Sequence, residues 1–312
     1  MISTLPTIVA RLRLKQLRLL IALDELGSLH RAAEQVSISQ PGATKALHEI
    51  EVTFGAQLFT RTSQGLIPND LGRCAIRYSR LIQSDLAHLR EEMMGIIKGH
   101  GGRLSVGVIM GAVPLLMGAL GRLRRKQPEL SVEIVEDTSA RLLDLIDQGR
   151  LDLAICRSSV SRRPGAYDCL TLHDEELALV AHPEHPLMNA TSLSLDKLVG
   201  HRWVIYPANM PMRLLLEREF TQAGLAFPTY PVETASTFTM LSLLQEDPEL
   251  VALMPLAVAR FSEGFGLVRR LPLNLQSRSE PYGVIARHGA SLSPASRLLL
   301  DELQSDSMET QS

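Results

Sequence analysis

Four polar side chains recur on one face of a short predicted helix near the start of the 312-residue chain: Gln40, Thr44, Lys45 and His48. A Gln amide can bond adenine through two hydrogen bonds, a Lys reaches guanine or phosphate, and a Thr meets a base edge with its methyl or hydroxyl group. Arg61 and Thr62 follow in a predicted hairpin and have the chemistry to hold the flanking phosphates. The pattern therefore predicts recognition of duplex DNA.

The elements that must position these side chains are two short helices joined by a tight turn. Ser28 is the expected N-cap of the first helix. Ser39 is the expected N-cap of the second, and Pro41 falls in its first turn, where a missing N–H is harmless. The sequence TSQGL then supplies the turn of a small β-hairpin. The caps, helices and hairpin together predict a helix-turn-helix with a hairpin wing.

A long helix is predicted from residue 71 to residue 98, because apolar residues recur there every three or four positions. The stripe consists of Leu71, Ala75, Tyr78, Ile82, Leu86, Leu89, Met93 and Ile96. A helix of this length extends about 40 Å, which is more than a small neighbouring domain covers. The stripe therefore favours dimerisation through a second copy of the helix over packing against its own domain.

Beyond a glycine-rich linker at residues 99–102 the pattern changes to alternating strands and helices. Strands are predicted at 103–109, 130–135 and 151–156, with helices at 113–126 and 140–148 between them. This order is typical of a parallel sheet covered by helices. The alternation continues with strands at 177–181, 203–206, 229–232, 251–254, 266–271 and 281–287, and helices at 213–223, 235–245 and 293–303.

Composition and charge support two parts with different partners. The whole chain has a net charge of -2 and 45% hydrophobic residues, which excludes a largely disordered protein. Residues 1–98 hold 12 Lys and Arg against 9 Asp and Glu, whereas residues 99–312 hold 20 against 25. The three cysteines and the lack of a signal peptide or an 18-residue apolar run predict a cytoplasmic protein with no membrane contact.

An enzyme is the main alternative class. The acidic residues Asp152, Asp174, Glu175 and Glu176 and the nine His residues form no HExxH, GxSxG, P-loop or GxGxxG pattern. The sequence AHPEHP lacks a third metal ligand, so neither a metal nor a cofactor is predicted. A redox sensor would need Cys156 and Cys169 to pair, but Cys156 ends a predicted buried strand. A stand-alone binding protein would leave residues 1–98 unexplained.

Three stretches resemble the LysR-type transcriptional regulators: GSLHRAAEQVSISQPGATKALHEIE, FGAQLFTRTSQGL and GRLDLAI. The resemblance covers essentially the whole chain. It implies an α/β protein with an N-terminal all-α winged helix-turn-helix, a long linker helix and a periplasmic-binding-protein-like effector domain of two subdomains. The family's DNA contacts fall on Gln40, Pro41, Thr44, Lys45 and Arg61, and Ser39 caps their helix. Thr44 and Lys45 replace the more usual Ser and Arg, and Lys lacks the planar fork of Arg.

The implied domains are a winged helix-turn-helix at residues 1–70, a dimerisation helix at 71–98 and an effector domain at 103–312. Subdomain I takes about 103–173 and 278–304, and subdomain II about 174–277. A ligand is expected between the subdomains, at strand ends and helix N-termini, which favour an anionic group such as a carboxylate. These places are Met110, Gly111, Ala112, Val113, Thr138, Ser139, Asn209, Met210, Thr234, Ser236 and Thr237. The family often has Ser or Thr where this chain has Gly111.

The effector stretches VGVIMGAVP, EREFTQAGL and VETAS look most like the sugar-responsive galactose-binding-protein-regulator branch, which implies a sugar effector. Aromatic-acid responders share much of this pattern, so an aromatic or other organic acid is the alternative. The family resemblance also implies promoter DNA, RNA polymerase (through direct or indirect contact) and further copies of the chain as partners, in a tetramer assembled from dimers. Composition is equally compatible with a dimer and a tetramer.

Overall fold

A computed structural model describes residues 2–63, 65–98, 102–161, 163, 165–173, 175–208 and 210–309. The predicted linker residues 99–101 and the predicted effector residue Asn209 lie outside this set. The chain divides into two compact units. The first comprises Met1–Gly102 with Asp147–Arg150, and the second comprises Arg103–Ile146 with Leu151–Ser312.

The first unit consists of helices and one hairpin. Its elements are α1 (Leu5–Arg11), α2 (Leu14–Leu26), α3 (Leu29–Gln35), α4 (Gln40–Phe54), β1 (Phe59–Thr62), β2 (Gly65–Pro68) and α5 (Asp70–Lys98). Helix α2 ends at Gly27, whose left-handed φ of 62° suits a residue without a side chain. The buried alanines of α3 and α4, Ala32, Ala33 and Ala43, bring these two helices close together. The predicted helix-turn-helix, hairpin and long helix are all present.

The second unit contains the remaining strands and helices. The strands are β3 (Arg103–Val108), β4 (Ser131–Glu136), β5 (Leu153–Cys156), β6 (Tyr167–His173), β7 (Leu177–Ala181), β8 (Arg202–Ile205), β9 (Val232–Glu233), β10 (Leu250–Pro255), β11 (Arg269–Arg270) and β12 (Tyr282–Arg287). The helices are α6 (Val113–Lys126), α7 (Ser139–Asp147), α8 (Pro211–Gln222), α9 (Thr237–Glu246), α10 (Leu256–Gly264) and α11 (Pro294–Glu309). Short 3-10 turns cover Met110–Ala112, Pro186–Asn189 and Leu195–Leu198.

The strands of the second unit form two five-stranded sheets, in the orders β4-β3-β5-β12-β6 and β11-β7-β10-β8-β9. The chain leaves the first sheet after β6 and returns to it at β12, so two connections join the two halves. Both sheets are mixed, because β12 runs antiparallel to β5 and β6, and β7 runs antiparallel to β10. The expectation of a parallel sheet was therefore right for β3, β4 and β5. In the second sheet β8, β9 and β10 are parallel as well, whereas β7 and β12, the first strand after each crossing, run antiparallel to their neighbours.

Three elements were not predicted. Helix α1 buries none of its residues and so shows no apolar stripe. Strand β6 lies at a sheet edge, and Asp168, Cys169 and Thr171 are exposed along it, so it shows no continuous apolar run. Helix α10 follows β10 directly and has only nine residues. Two predicted strands shrink to the two-residue strands β9 and β11, and no described helix is long and apolar enough to cross a membrane.

Candidate nucleic-acid interface and ligand cleft

Helix α4 presents the predicted base-reading face. The Ser39 hydroxyl accepts a hydrogen bond from the Gly42 N–H at 3.2 Å, so this predicted cap is confirmed. On the other side of the helix, Ala43 and Ile50 are buried in the core of the first unit. The predicted contact residues are all exposed: Ser39, Gln40, Pro41, Thr44, Lys45 and His48.

Thr44 already uses its hydroxyl hydrogen within the helix. Its Oγ1 donates to the carbonyl oxygen of Gln40 at 3.1 Å, the bond that Thr commonly makes to the preceding helical turn. The side chain therefore offers outward a methyl group and an acceptor oxygen. A thymine methyl or a base amino group suits that combination better than a base acceptor does.

The hairpin places Arg61 and Thr62 on an exposed strand beside α4. Arg61 pairs with Leu66 in the hairpin register, and the Thr62 hydroxyl donates to the Gly65 carbonyl at 3.1 Å. The Leu66 N–H donates to the carbonyl of Gly27 at 3.0 Å. A Cβ atom on residue 65 would collide with that same carbonyl. The wing is thus fixed against the end of α2, with its Arg side chain exposed.

The long helix is anchored at its first turn and then exposes its apolar stripe. Asn69 caps it: Oδ1 accepts from the Gly72 N–H at 2.9 Å. Arg80 forms an ion pair of 2.8 Å with Asp24 of α2. Beyond that point the stripe is open, because 53% of the Leu89 surface and 54% of the Met93 surface remain exposed in the single chain. The predicted dimerisation surface is therefore available for a second copy. The side chain of Ile96 lies outside the described residues.

The second unit places six predicted effector residues near the junction of its two halves. Met110 and Gly111 lie in the 3-10 turn that leads into Val113 and α6, and Ala112 beside them is buried. The Thr237 hydroxyl, at the start of α9, contacts the Met110 sulfur. Ser139, at the start of α7, accepts a hydrogen bond from the Arg157 N–H at 3.2 Å. Loops from both halves of the unit therefore meet at Met110, where a ligand cleft is expected from the sequence.

The contacts of the other predicted effector residues are local. Thr138 donates its N–H to Asp137 Oδ1 at 2.7 Å and is exposed. The Thr234 hydroxyl accepts from the Ser236 N–H at 3.1 Å, and the Ser236 hydroxyl caps α9 by accepting from the Thr239 N–H at 3.2 Å. Met210 packs partly buried against the core below α8.

A buried ion pair close to this loop was not foreseen. Arg157 follows β5, Glu175 precedes β7, and their side chains pair directly while both are almost wholly buried. The same guanidinium donates to the Ser279 hydroxyl at 2.8 Å and to the Glu280 carbonyl at 3.1 Å. Arg157 thus holds both segments that cross between the two sheets. Its position directly after a buried strand was the signal that could have identified it.

The Glu175 carboxylate lies against Gly111, where a Cβ atom would overlap it. Burial raises the pKa of this carboxyl, and the Arg157 guanidinium opposes the rise. Burial also raises the pKa of the nearby Tyr206 and Tyr282 hydroxyls, and the Glu175 charge adds to the effect. Tyr206 donates to the Met110 sulfur at 3.5 Å. A carboxyl group of the chain itself therefore occupies the space beside Gly111.

The two cysteines considered for redox chemistry lie in different surroundings. Cys156 is buried at the end of β5, and burial raises the pKa of its thiol to about 12. Cys169 is exposed on β6. A thiol with a raised pKa is a poor nucleophile, because the thiolate is the reactive form. The surroundings of Cys156 therefore do not favour a sensing role.

Comparisons with known sequences agree with this architecture. The model described as the bacterial regulatory helix-turn-helix protein of the lysR family matches residues 14–73, and that of the LysR substrate binding domain matches residues 98–307. The HTH-type transcriptional regulator GbpR of Azospirillum brasilense is 33% identical over 300 residues, 96% of this chain and 87% of that protein. GalR of Pseudomonas putida is 29% identical over 295 residues, 92% of this chain and 72% of that protein.

Solved structures confirm the fold class. Full-length OxyR from Pseudomonas aeruginosa has a TM-score of 0.63 at 19% identity, and covers 94% of this chain and 95% of its own. CbnR, described as a LysR family transcriptional regulator, has a TM-score of 0.62 at 18% identity, covering 95% and 99%. At these identities both structures show that the fold is shared, and nothing further.

Proposed function

The chain belongs to the LysR family of bacterial transcriptional regulators, and from that premise we propose that it binds one promoter sequence under the control of a neutral, polyhydroxylated effector such as a sugar. Members of this family are DNA-binding regulators rather than enzymes, so the chain is not expected to catalyse a reaction. A cytoplasmic location goes with that role.

The observation that carries the effector class is the Glu175 carboxylate beside Gly111. A ligand carboxylate entering at Met110 or Gly111 would face a buried negative charge, which disfavours its ionised form. Hydroxyl groups, by contrast, donate hydrogen bonds to a carboxylate, and such charge-assisted bonds are strong. The resemblance to the galactose-binding-protein-regulator branch, whose abbreviation the relative GbpR of Azospirillum brasilense carries, also favours a sugar over an aromatic acid.

The DNA-binding arrangement follows from the exposed faces of the first unit. Two copies pair through the stripe on α5 and place two α4 helices in successive major grooves, about one helical turn apart. Gln40, Thr44, Lys45 and His48 then read bases, while Arg61 and Thr62 hold the flanking phosphates. We further propose that two such dimers form a tetramer and bend the DNA between their sites.

The effector acts by binding one arrangement of the two sheets more tightly than the other. Arg157 holds both crossing segments, and its partner Glu175 touches the loop at Gly111. A ligand that hydrogen-bonds to this carboxylate would therefore change the relation between the sheets. Differential affinity for two arrangements is what thermodynamic linkage requires for regulation. The resulting change in DNA bend alters access for RNA polymerase.

The test is fluorescence anisotropy of the purified chain on its own upstream intergenic DNA and on a scrambled duplex, at two salt concentrations. Tight binding to the native fragment, together with an affinity for the scrambled duplex that falls steeply with salt, supports the proposed regulator function. Equal weak binding to both duplexes, with and without effector candidates, would refute it. The same assay with neutral hexoses and with aromatic carboxylates distinguishes the two effector classes, because only one of them should shift the binding curve.

A further inference from the structure

A basic groove lies beside the base-reading face of α4. Its border includes three cationic side chains from the start of α2, Arg13, Lys15 and Arg18, and the flank of α4 at Gly42 and Ala46. The groove has a volume of about 220 Å³. All three cations are exposed. The groove therefore opens next to the helical turn that carries Gln40.

The segment before α2 fixes Arg13 relative to α4. The Ser3 N–H donates to the Phe54 carbonyl at 3.1 Å, which ties the start of this segment to the end of α4. Gln16 then joins the other end to the same helix. Its Oε1 accepts from the Arg13 N–H at 2.9 Å, and its Nε2 donates to Glu49 at 3.3 Å. The Arg13 backbone is thus held at a defined place on α4.

The groove has an excess of positive charge. The first 23 residues contain four Lys or Arg and no Asp or Glu. Within the part of the chain that the structure describes, no carboxylate lies within ion-pair distance of Arg13, Lys15 or Arg18. Glu49 is the acidic residue on the groove wall, and Gln16 donates to it. Three like charges gathered around one concavity favour an anionic partner.

We propose that this groove binds the phosphate backbone of DNA next to the major groove that α4 enters. The groove is cationic, so phosphate is a suitable ligand for it. The phosphate is expected to belong to DNA because the groove is continuous with the base-reading face. Arg13 precedes residue 14, where the match to the helix-turn-helix model begins, so its contact is an addition to that module. The inference rests on the proposed function in that DNA is the partner.

The test compares two doubly substituted full-length proteins with the wild type. Arg13→Ala with Lys15→Ala removes two charges from the groove. Arg124→Ala with Arg125→Ala removes two exposed arginines from α6 of the other unit and serves as the control. Anisotropy is measured on the target and scrambled duplexes over a range of salt concentrations, and circular dichroism checks that each variant keeps its helices.

The groove variant should bind both duplexes more weakly by a similar factor. Its plot of log K against log salt should become less steep by about 0.9 for each phosphate that the protein no longer neutralises, or about 1.8 for two. Arg13→Lys should keep the wild-type slope because it keeps the charge. An unchanged slope, a loss confined to the target duplex, or an equal loss in the control would overturn the proposal. If the wild type bound both duplexes equally well but the groove variant still showed the expected change of slope, the proposed regulator function would be refuted. The groove proposal would then still stand.

Discussion

The α-carbon of Gly111 faces the carboxylate of Glu175 so closely that a side chain at residue 111 would overlap Oε1 of Glu175. Glu175 in turn pairs with Arg157, which holds both segments crossing between the two sheets. The loop that carries Met110 and Gly111 is therefore in direct contact with the residues that join the two halves of the second unit. An effector bound at Met110 or Gly111 acts on that connection.

Gly111→Ala should destabilise the protein by about 1–3 kcal/mol, because the added methyl group must displace a buried and paired carboxylate. Gly121→Ala on α6 is the matched control, since nothing lies within 4 Å of a Cβ atom there. That substitution should stabilise the helix by roughly 0.5–1 kcal/mol. Thermal unfolding of both variants checks the difference. Equal melting temperatures would show that Glu175 moves away from residue 111 at no cost.

Gln40→Ala should weaken binding to the target duplex by about 1–3 kcal/mol and relax the base preference at one position of the site. Gln40 is exposed at the start of α4, so the loss comes from the interface and not from stability. Anisotropy on a set of duplexes, each with one base pair changed, measures it. Gln222→Ala, an exposed Gln of the second unit, should change nothing. Uniform weakening on every duplex would assign Gln40 to a phosphate instead.

Leu89→Glu should dissociate the dimer, because it places a charge in the centre of the exposed stripe on α5. The expected result is the mass of a single chain in sedimentation equilibrium, together with weaker DNA binding. Ala87→Glu adds the same residue two positions earlier, about 200° around the helix from Leu89, where the exposed side chain points away from the stripe, and should keep the wild-type mass. If both variants kept that mass, the stripe would not be the dimer contact.

The elements that local chemistry specifies were predictable from the sequence. Ser39 and Asn69 cap the helices that follow them, and Gly27 ends α2, because each residue type satisfies backbone groups only a few positions away. Ser28 shows the limit of that reasoning. It occupies the N-cap position of α3, but its hydroxyl accepts no hydrogen bond from the helix.

The central part of the cleft was not predictable, because it depends on residues far apart in the chain. Arg157 and Ser279 are separated by 122 positions and come together only when the chain returns to the first sheet. Glu175 was seen as one of several acidic residues without a motif. Its partner and its place beside Gly111 follow from the crossing of the two segments, which no local pattern encodes.

Cys156 should react far more slowly with iodoacetamide than Cys169 in the folded protein. The pKa of the Cys156 thiol is raised to about 12 by burial, so about one molecule in ten thousand has a thiolate there at pH 8. As the pH rises towards 12 the thiolate fraction grows about tenfold per unit, and labelling should accelerate in step. Mass spectrometry of peptides at several pH values measures both sites. Equally fast labelling of both cysteines at pH 8 would contradict the burial of Cys156 and reopen the redox alternative.

Glu175→Ala should leave Arg157 buried without its counter-ion and destabilise the protein by about 3–5 kcal/mol. The truncation also leaves a space next to the guanidinium where a small carboxylate fits. Acetate should therefore raise the melting temperature of this variant more than chloride at equal ionic strength, whereas the wild type should respond equally to both salts. A rise in the melting temperature of the variant that is specific to acetate cannot result from misfolding. Wild-type protein that acetate stabilises as strongly as the variant would show that the cleft accepts carboxylates beside Glu175, and the organic-acid alternative would then replace the sugar.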